Sequence, residues 1–146
     1  MRLRAGLIEI RKIRAEDCQQ VLGLLRLFPG SRLGRAGGAG CGRIFQGLMQ
    51  GGAQEAFVAT LHQRVIGFIS LYYLNVLHHG GLVASVQELV VTEELRGRGI
   101  GRALLDFARS RARELSCAGL ELAGVLPGQA GSLRGGGRLA GYSGMS

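Results

Sequence analysis

Apolar and polar positions alternate from Leu7 to Ile13, where Ile8, Ile10 and Ile13 are set against Glu9, Arg11 and Lys12, and this period predicts a first strand. At Ala15-Glu16-Asp17 the period lengthens. Val21, Leu22, Leu24, Leu25 and Phe28 recur at helical spacing, with two acids in the first turn where the helix dipole favours them, and Pro29-Gly30 ends the segment. From Ser31 to Gly42 the chain carries Gly34, Gly37, Gly38, Gly40 and Gly42, which leave little side chain to pack, so a mobile loop is expected. Ile44, Phe45, Leu48 and Met49 predict a short second helix that stops at Gly51-Gly52.

Two apolar runs come next, Ala56 to Leu61 and Val65 to Tyr73, separated by His62-Gln63-Arg64 as in a hairpin. Leu82 to Val91 is a further strand, apolar on both faces, then Thr92 to Gly99 is a polar loop punctuated by glycine. Ile100 to Leu115 places Leu104, Leu105, Ala108, Ala112 and Leu115 on one side of a helix, and Gly119 to Leu122 is a short buried strand. Beyond it the pattern fails, with eight glycines in residues 123–146 and no sustained period of either kind. The expected organisation is one α/β domain over residues 1–122 and an irregular tail over 123–146.

Composition narrows the chemistry. The chain has 146 residues, 47% of them hydrophobic, enough for one core; 26 are glycine and only 5% aromatic. Its net charge of +8 is concentrated at the two ends, because residues 48–122 hold seven basic and seven acidic side chains. Lys12 is the single lysine, and no Gly-Lys-Ser/Thr is present to grip nucleotide phosphates. Cys18, Cys41 and Cys117 are odd in number and far apart, which argues against a disulfide framework or a metal site and for reduced thiols in the cytoplasm. No secretory signal is visible near Met1, since Glu9 breaks the apolar run early. Val65 to Gln87 is 23 residues without formal charge, but Gly67, Asn75, His78, His79, Gly80 and Gly81 make it strand, turn and strand and not a membrane span.

The informative segment is Glu88-Leu89-Val90-Val91, joined through a polar turn to Arg96-Gly97-Arg98-Gly99-Ile100-Gly101-Arg102. A buried strand here feeds three glycines onto a helix start. Backbone N–H groups at such a start lack helical partners and sit at the positive end of the dipole, so the site favours a phosphate or diphosphate, and Arg96, Arg98 and Arg102 add charge around it. A dinucleotide fingerprint fits less well: Arg102 stands where its third glycine belongs, although Glu121 lies at about the right separation.

Arg96-x-x-Gly99-x-Gly101 after Leu89-Val90-Val91 resembles the acetyl-CoA signature Gln/Arg-x-x-Gly-x-Gly/Ala of the GCN5-related N-acetyltransferase (GNAT) superfamily. The resemblance runs from about Leu7 to Leu122 and matches that family's order of strand, two helices, three strands, helix and strand. Leu77-His78-His79 with Val86-Gln87-Glu88-Leu89-Val90-Val91 is similar to aminoalkylphosphonate N-acetyltransferases. The resemblance implies a mixed, mostly antiparallel sheet flanked by helices, acetyl-CoA as co-substrate and no metal. It further implies direct attack of an amine on the thioester, so the protein must supply a pantetheine track, a proton acceptor and polarisation of the carbonyl. Leu89, Val90 and Val91 would offer the track, and Arg96, Gly97, Arg98, Gly99, Ile100, Gly101 and Arg102 the diphosphate seat. Glu88, the one carboxylate between Arg64 and Thr92, would serve as general base through water. Glu93 and Glu94 are expected to be solvated, and His78 and His79 are candidates for the acceptor pocket.

After Leu122 the resemblance lapses. The family's fourth helix, with a tyrosine that can protonate the departing thiolate, and its later strands have no counterpart, and Tyr142 does not inherit that acid role. A thiol with a pKa of about 8.5 can leave without an acid. Uncovered, the strand at Gly119 to Leu122 is expected to expose an edge or face and to promote association, a homodimer being the simplest form. The partner expected is a small amine, anionic by the attraction of a +8 chain. The alternative is a degenerate relative that binds CoA weakly or serves as an interaction module. Nucleic acid is not expected as a partner, because the central region is neutral and no aromatic platform accompanies the arginines.

Overall fold

A computed structural model describes residues 1–4, 6–28, 30–33 and 41–123, together with the backbone of 138–143. In chain order its elements are strands β1 (Arg2–Leu3) and β2 (Gly6–Lys12), helices α1 (Cys18–Leu25) and α2 (Cys41–Gln50), and strands β3 (Gln54–Leu61), β4 (Arg64–Val76) and β5 (Gly81–Val91). Helix α3 (Ile100–Glu114) and strands β6 (Gly119–Leu122) and β7 (Arg138–Ser143) complete it. The strands form one sheet in the order β1 to β7, antiparallel at every pair except β5–β6, which is parallel. The mixed, mostly antiparallel α/β fold expected from the sequence is therefore the one observed.

Each face of the sheet has its own core. Ile100, Leu104, Leu105, Ala108 and Ala112 of α3 pack on Ile69, Leu71, Val86 and Leu89. Val21 and Leu25 of α1 with Phe45 and Leu48 of α2 pack on Val58, Phe68 and Val90 across the opposite face. Strand β5 is apolar on both faces because helices cover both, and alternate residues feed the two cores. The β3–β4 turn is tighter than expected. His62 and Gln63 have φ of 49° and 65°, a two-residue turn with both centres left-handed, so Arg64 already belongs to β4. Helix α2 likewise starts at Cys41, ahead of the apolar residues that announce it.

Past Leu122 the expectation needs correction. Arg138–Ser143 is a strand that pairs antiparallel with β6, Gly119 opposite Ser143 and Glu121 opposite Arg138, so the edge of β6 expected to be open is covered and the premise for association through it falls away. The pairing is irregular, with a register shift between Gly119 and Glu121. The expectations for the glycine loop at 34–40 and for the absent helix at 124–137 lie outside the described residues.

Asp17 does more than meet a dipole. It is 2% exposed and accepts hydrogen bonds from both ends of the Arg11 guanidinium, at 2.7 and 2.9 Å, and from the Arg14 N–H at 2.7 Å, tying β2 to the start of α1. Burial alone would raise its pKa, but the hydrogen bonds from Arg11 and Arg14 outweigh burial and hold the carboxyl below its ordinary value. A depressed native pKa stabilises the fold above the unfolded value near 4 and loses that contribution as pH falls through the native value. Asp17→Asn is expected to lower unfolding free energy at pH 7 by about 1–3 kcal/mol, a difference that shrinks by pH 3. Denaturant unfolding at the two pH values checks this.

Candidate functional site

The site grows from an irregularity in the β4–β5 pairing. Ser70 lies opposite Glu88, but the next residue, Leu71, lies opposite Val86, so Gln87 is an extra residue in β5. Such a bulge bends and twists its strand. It also sets the phase of the strand beyond it, placing Glu88 and Val90 on the α1/α2 face and Leu89 and Val91 on the α3 face.

Beyond the bulge, β5 also has a side on which no strand pairs among the described residues. Strand β6 pairs with β5 only from Val83 to Val86, and the last bond on that side runs from the Ala123 N–H to the Val86 carbonyl at 2.8 Å. On the other side, the Thr92 N–H reaches the Ile66 carbonyl at 2.8 Å, so Thr92 and, two residues back, Val90 direct their backbone groups toward β4. Leu89 and Val91 consequently present theirs to the side on which no strand pairs among the described residues. The Val91 carbonyl meets the Arg96 Nε at 3.3 Å. An extended amide-bearing chain can pair with Leu89 as a further strand would.

The loop after β5 is held at its start. Thr92 is buried and donates its hydroxyl to the Glu94 carboxylate, which lies 3.7 Å from Arg64; that hydrogen bond, helped by Arg64, lowers the Glu94 pKa. Glu93 is exposed and Glu94 is exposed but engaged. A single 3-10 turn over Glu93–Leu95 then leads into Gly97 and Gly99, whose φ of 77° and 86° lie in the left-handed region that glycine enters without strain. Gly99 caps α3 and, among the described residues, no side chain bonds the helix start, so the N–H groups of Ile100, Gly101 and Arg102 have no capping partner there. Arg96, Arg98 and Arg102 are exposed; Arg102 lies 3.5 Å from Asp106, and Arg98 has no partner among the described residues. Free N–H groups, a positive helix end and exposed guanidinium groups fit a diphosphate.

On the other side of β5, Glu88 accepts a hydrogen bond from Ser70 Oγ at 2.7 Å, and Ser70 is itself fully buried. Sequence reasoning missed Ser70, although it is the one hydroxyl in the apolar run from Val65 to Leu71. Glu88 also lines a cavity of about 300 Å³ between α1 and α2. The expected site residues thus come together around one strand end, with the glycine loop and the unpaired side of β5 at one flank and the carboxylate with its cavity on the α1/α2 face. His78 and His79 do not join them. Neither lines the cavity, and the buried His79 side chain instead meets Glu121 Oε1 at 2.9 Å. Tyr142 falls in β7, where only the backbone is described. Among the described residues no cluster of metal-ligating side chains occurs, and no helix is long and apolar enough to cross a membrane.

Comparison with known proteins places the fold and the family. A solved structure described as a transcriptional regulator from Bacillus halodurans C-125 superposes with a TM-score of 0.73 at 22% identity, covering 80% of this chain and 81% of that one, a likeness of fold. The ribosomal-protein-alanine N-acetyltransferase of Brucella melitensis biovar Abortus 2308 superposes with a TM-score of 0.62 at 25% identity, covering 84% and 82%. In sequence, the chain is 36% identical over 85 residues to the aminoalkylphosphonate N-acetyltransferase of Salmonella typhimurium, 53% of each protein, so it spans about half the length of that curated relative. Residues 16–134 match the acetyltransferase (GNAT) family, which takes in both helices of the α1/α2 face, the bulged strand and the glycine loop, and the chain belongs to that family.

Proposed function

We propose that the protein transfers an acetyl group from acetyl-CoA to the primary amine of a small molecule. The observation that carries this reading is the conjunction, among the described residues around the end of β5, of an uncapped helix start with left-handed glycines, a free strand side and a hydrogen-bonded carboxylate. Acetyl-CoA supplies an activated thioester. Leu89 and Val91 hold its pantetheine arm by backbone pairing, and a backbone N–H on this side of β5 faces the thioester carbonyl. The N–H groups at Gly99 to Arg102, with Arg96 and Arg98, hold the diphosphate. Glu88 takes the proton that the amine gives up, and the hydrogen bond from Ser70 keeps its carboxylate in one orientation. The +8 charge of the chain favours the approach of amines that also carry an anionic group.

Titration calorimetry with acetyl-CoA tests the binding half of the reading. Gly99→Val introduces a branched side chain at φ 86°, where L residues are strained, and Gly101→Val adds bulk at the diphosphate seat. Each is expected to weaken acetyl-CoA binding at least tenfold, about 1.4 kcal/mol. Unchanged affinity in both variants refutes the assignment.

A further inference from the structure

The chemistry of the cavity beside Glu88 restricts the body of the acceptor. Its walls are hydrocarbon: Val21 and Leu25 of α1, Ile44, Phe45 and Leu48 of α2, and Phe68 of β4. Among the described residues, Glu88 and Arg32 are its only charged lining side chains, and Arg32 is largely exposed. Of the other polar groups, Ser31 Oγ already accepts the Leu33 N–H at 3.3 Å. At about 300 Å³ it lies at the small end of the range for ligand pockets.

A polyhydroxylated amine seated here would leave water's hydrogen bonds and find few partners in the wall. A polycation would meet one carboxylate and bury its remaining charge against hydrocarbon. An apolar body instead removes its own surface and that of the wall from water. We infer that the acceptor is a primary amine with an apolar body, its nitrogen toward Glu88 and its hydrocarbon between α1 and α2. Any anionic group it carries stays at the solvent end, within the influence of Arg32. This inference rests on the proposed acetyl transfer and names the substrate class of that same site.

The test uses the full chain and four amines of equal charge: phenethylamine and isoamylamine as apolar bodies, glucosamine and ethanolamine as polar ones. At saturating acetyl-CoA, kcat/KM for both apolar amines is expected to exceed that for both polar ones by at least about tenfold. Ile44 is 62% exposed, so Ile44→Gln keeps a helix-forming residue and places an amide in the apolar wall; the KM for phenethylamine is expected to rise about tenfold. Leu77→Gln, a fully exposed position outside the cavity, is expected to leave it unchanged. Equal or better use of the polar amines, or an unchanged KM in Ile44→Gln, overturns the inference. Calorimetry separates the two levels of failure. Should acetyl-CoA not bind, the transfer reading falls, whereas phenethylamine binding that Ile44→Gln weakens about tenfold still supports the apolar selectivity. Absence of such binding overturns that too.

Discussion

Glu88→Gln is expected to lower kcat/KM for amine acetylation by about 10²- to 10³-fold at pH 7 while leaving the Kd for acetyl-CoA within about twofold of wild type. The substitution keeps the shape of the side chain and an oxygen that can accept the 2.7 Å hydrogen bond from Ser70, so the wall of the cavity stays in place. It removes the capacity to take a proton. An amine becomes nucleophilic only when its nitrogen lone pair is free, and attack on the thioester leaves a further proton to dispose of. Among the described residues, Glu88 is the one carboxylate in the lining of the α1/α2 cavity. The proposed diphosphate seat lies in the loop after β5, and Leu89 and Val91 face the other side of the strand, so binding of the proposed co-substrate should not depend on this carboxylate. Steady-state kinetics with calorimetry in parallel check the separation. A variant with wild-type turnover would assign the proton to water alone and leave Glu88 as a strand carboxylate satisfied by Ser70.

How far the sequence discloses this site depends on which kind of signal each part carries. The glycine loop is legible because its requirement is local: φ of 77° and 86° at Gly97 and Gly99 favours glycine, and the helix after it has an apolar side that sequence spacing alone reveals. Glu88 is legible because a charge within a run buried from both faces stands out. The bulge at Gln87 leaves no such trace, since β5 is apolar on both faces and a slip of one residue does not disturb an alternation that is absent. The cavity is not legible because it joins Val21, Ile44 and Phe68, residues brought together only when two helices settle on one sheet face. Strand β7 is hidden for a related reason. Arg138-Leu139-Ala140-Gly141-Tyr142-Ser143 has neither alternation nor a β-branched residue, so its strand character comes from the pairing that β6 offers. Asp17 misleads in the opposite sense. An acid at a helix start is adequately explained by the dipole, which conceals that this one is buried against Arg11.

Arg111→Ala is expected to cost about 2–4 kcal/mol of unfolding free energy at pH 7, a fall in Tm of roughly 5–15 °C. Arg111 of α3 binds Glu55 of β3 through Nε to Oε1 at 2.8 Å and Nη2 to Oε2 at 3.1 Å, and Tyr73 of β4 donates its hydroxyl to the same carboxylate at 2.9 Å. Glu55 is only 5% exposed. The hydrogen bond to Glu55, then that to Glu114, raises the Arg111 pKa; burial, then the hydrogen bond to Glu55, raises that of Tyr73. Removing the guanidinium leaves Glu55 with one neutral donor in a buried place, and most of the cost is that stranded charge, not a lost attraction. The range lies somewhat below that of a fully buried pair because the Arg111 side chain is 33% exposed and water can reach part of the gap. The double variant Glu55→Gln/Arg111→Ala is expected to recover part of the loss, since no charge then remains to be stranded. Helix α3 carries the proposed diphosphate seat at its first turn and this ion pair near its last, so the pair fixes the helix against β3 and β4 at the end away from the proposed site. Chemical denaturation of the single and double variants checks the expectation. Equal stability of Arg111→Ala and wild type would mean that solvent already screens Glu55, and that the apolar side of α3 alone seats the helix.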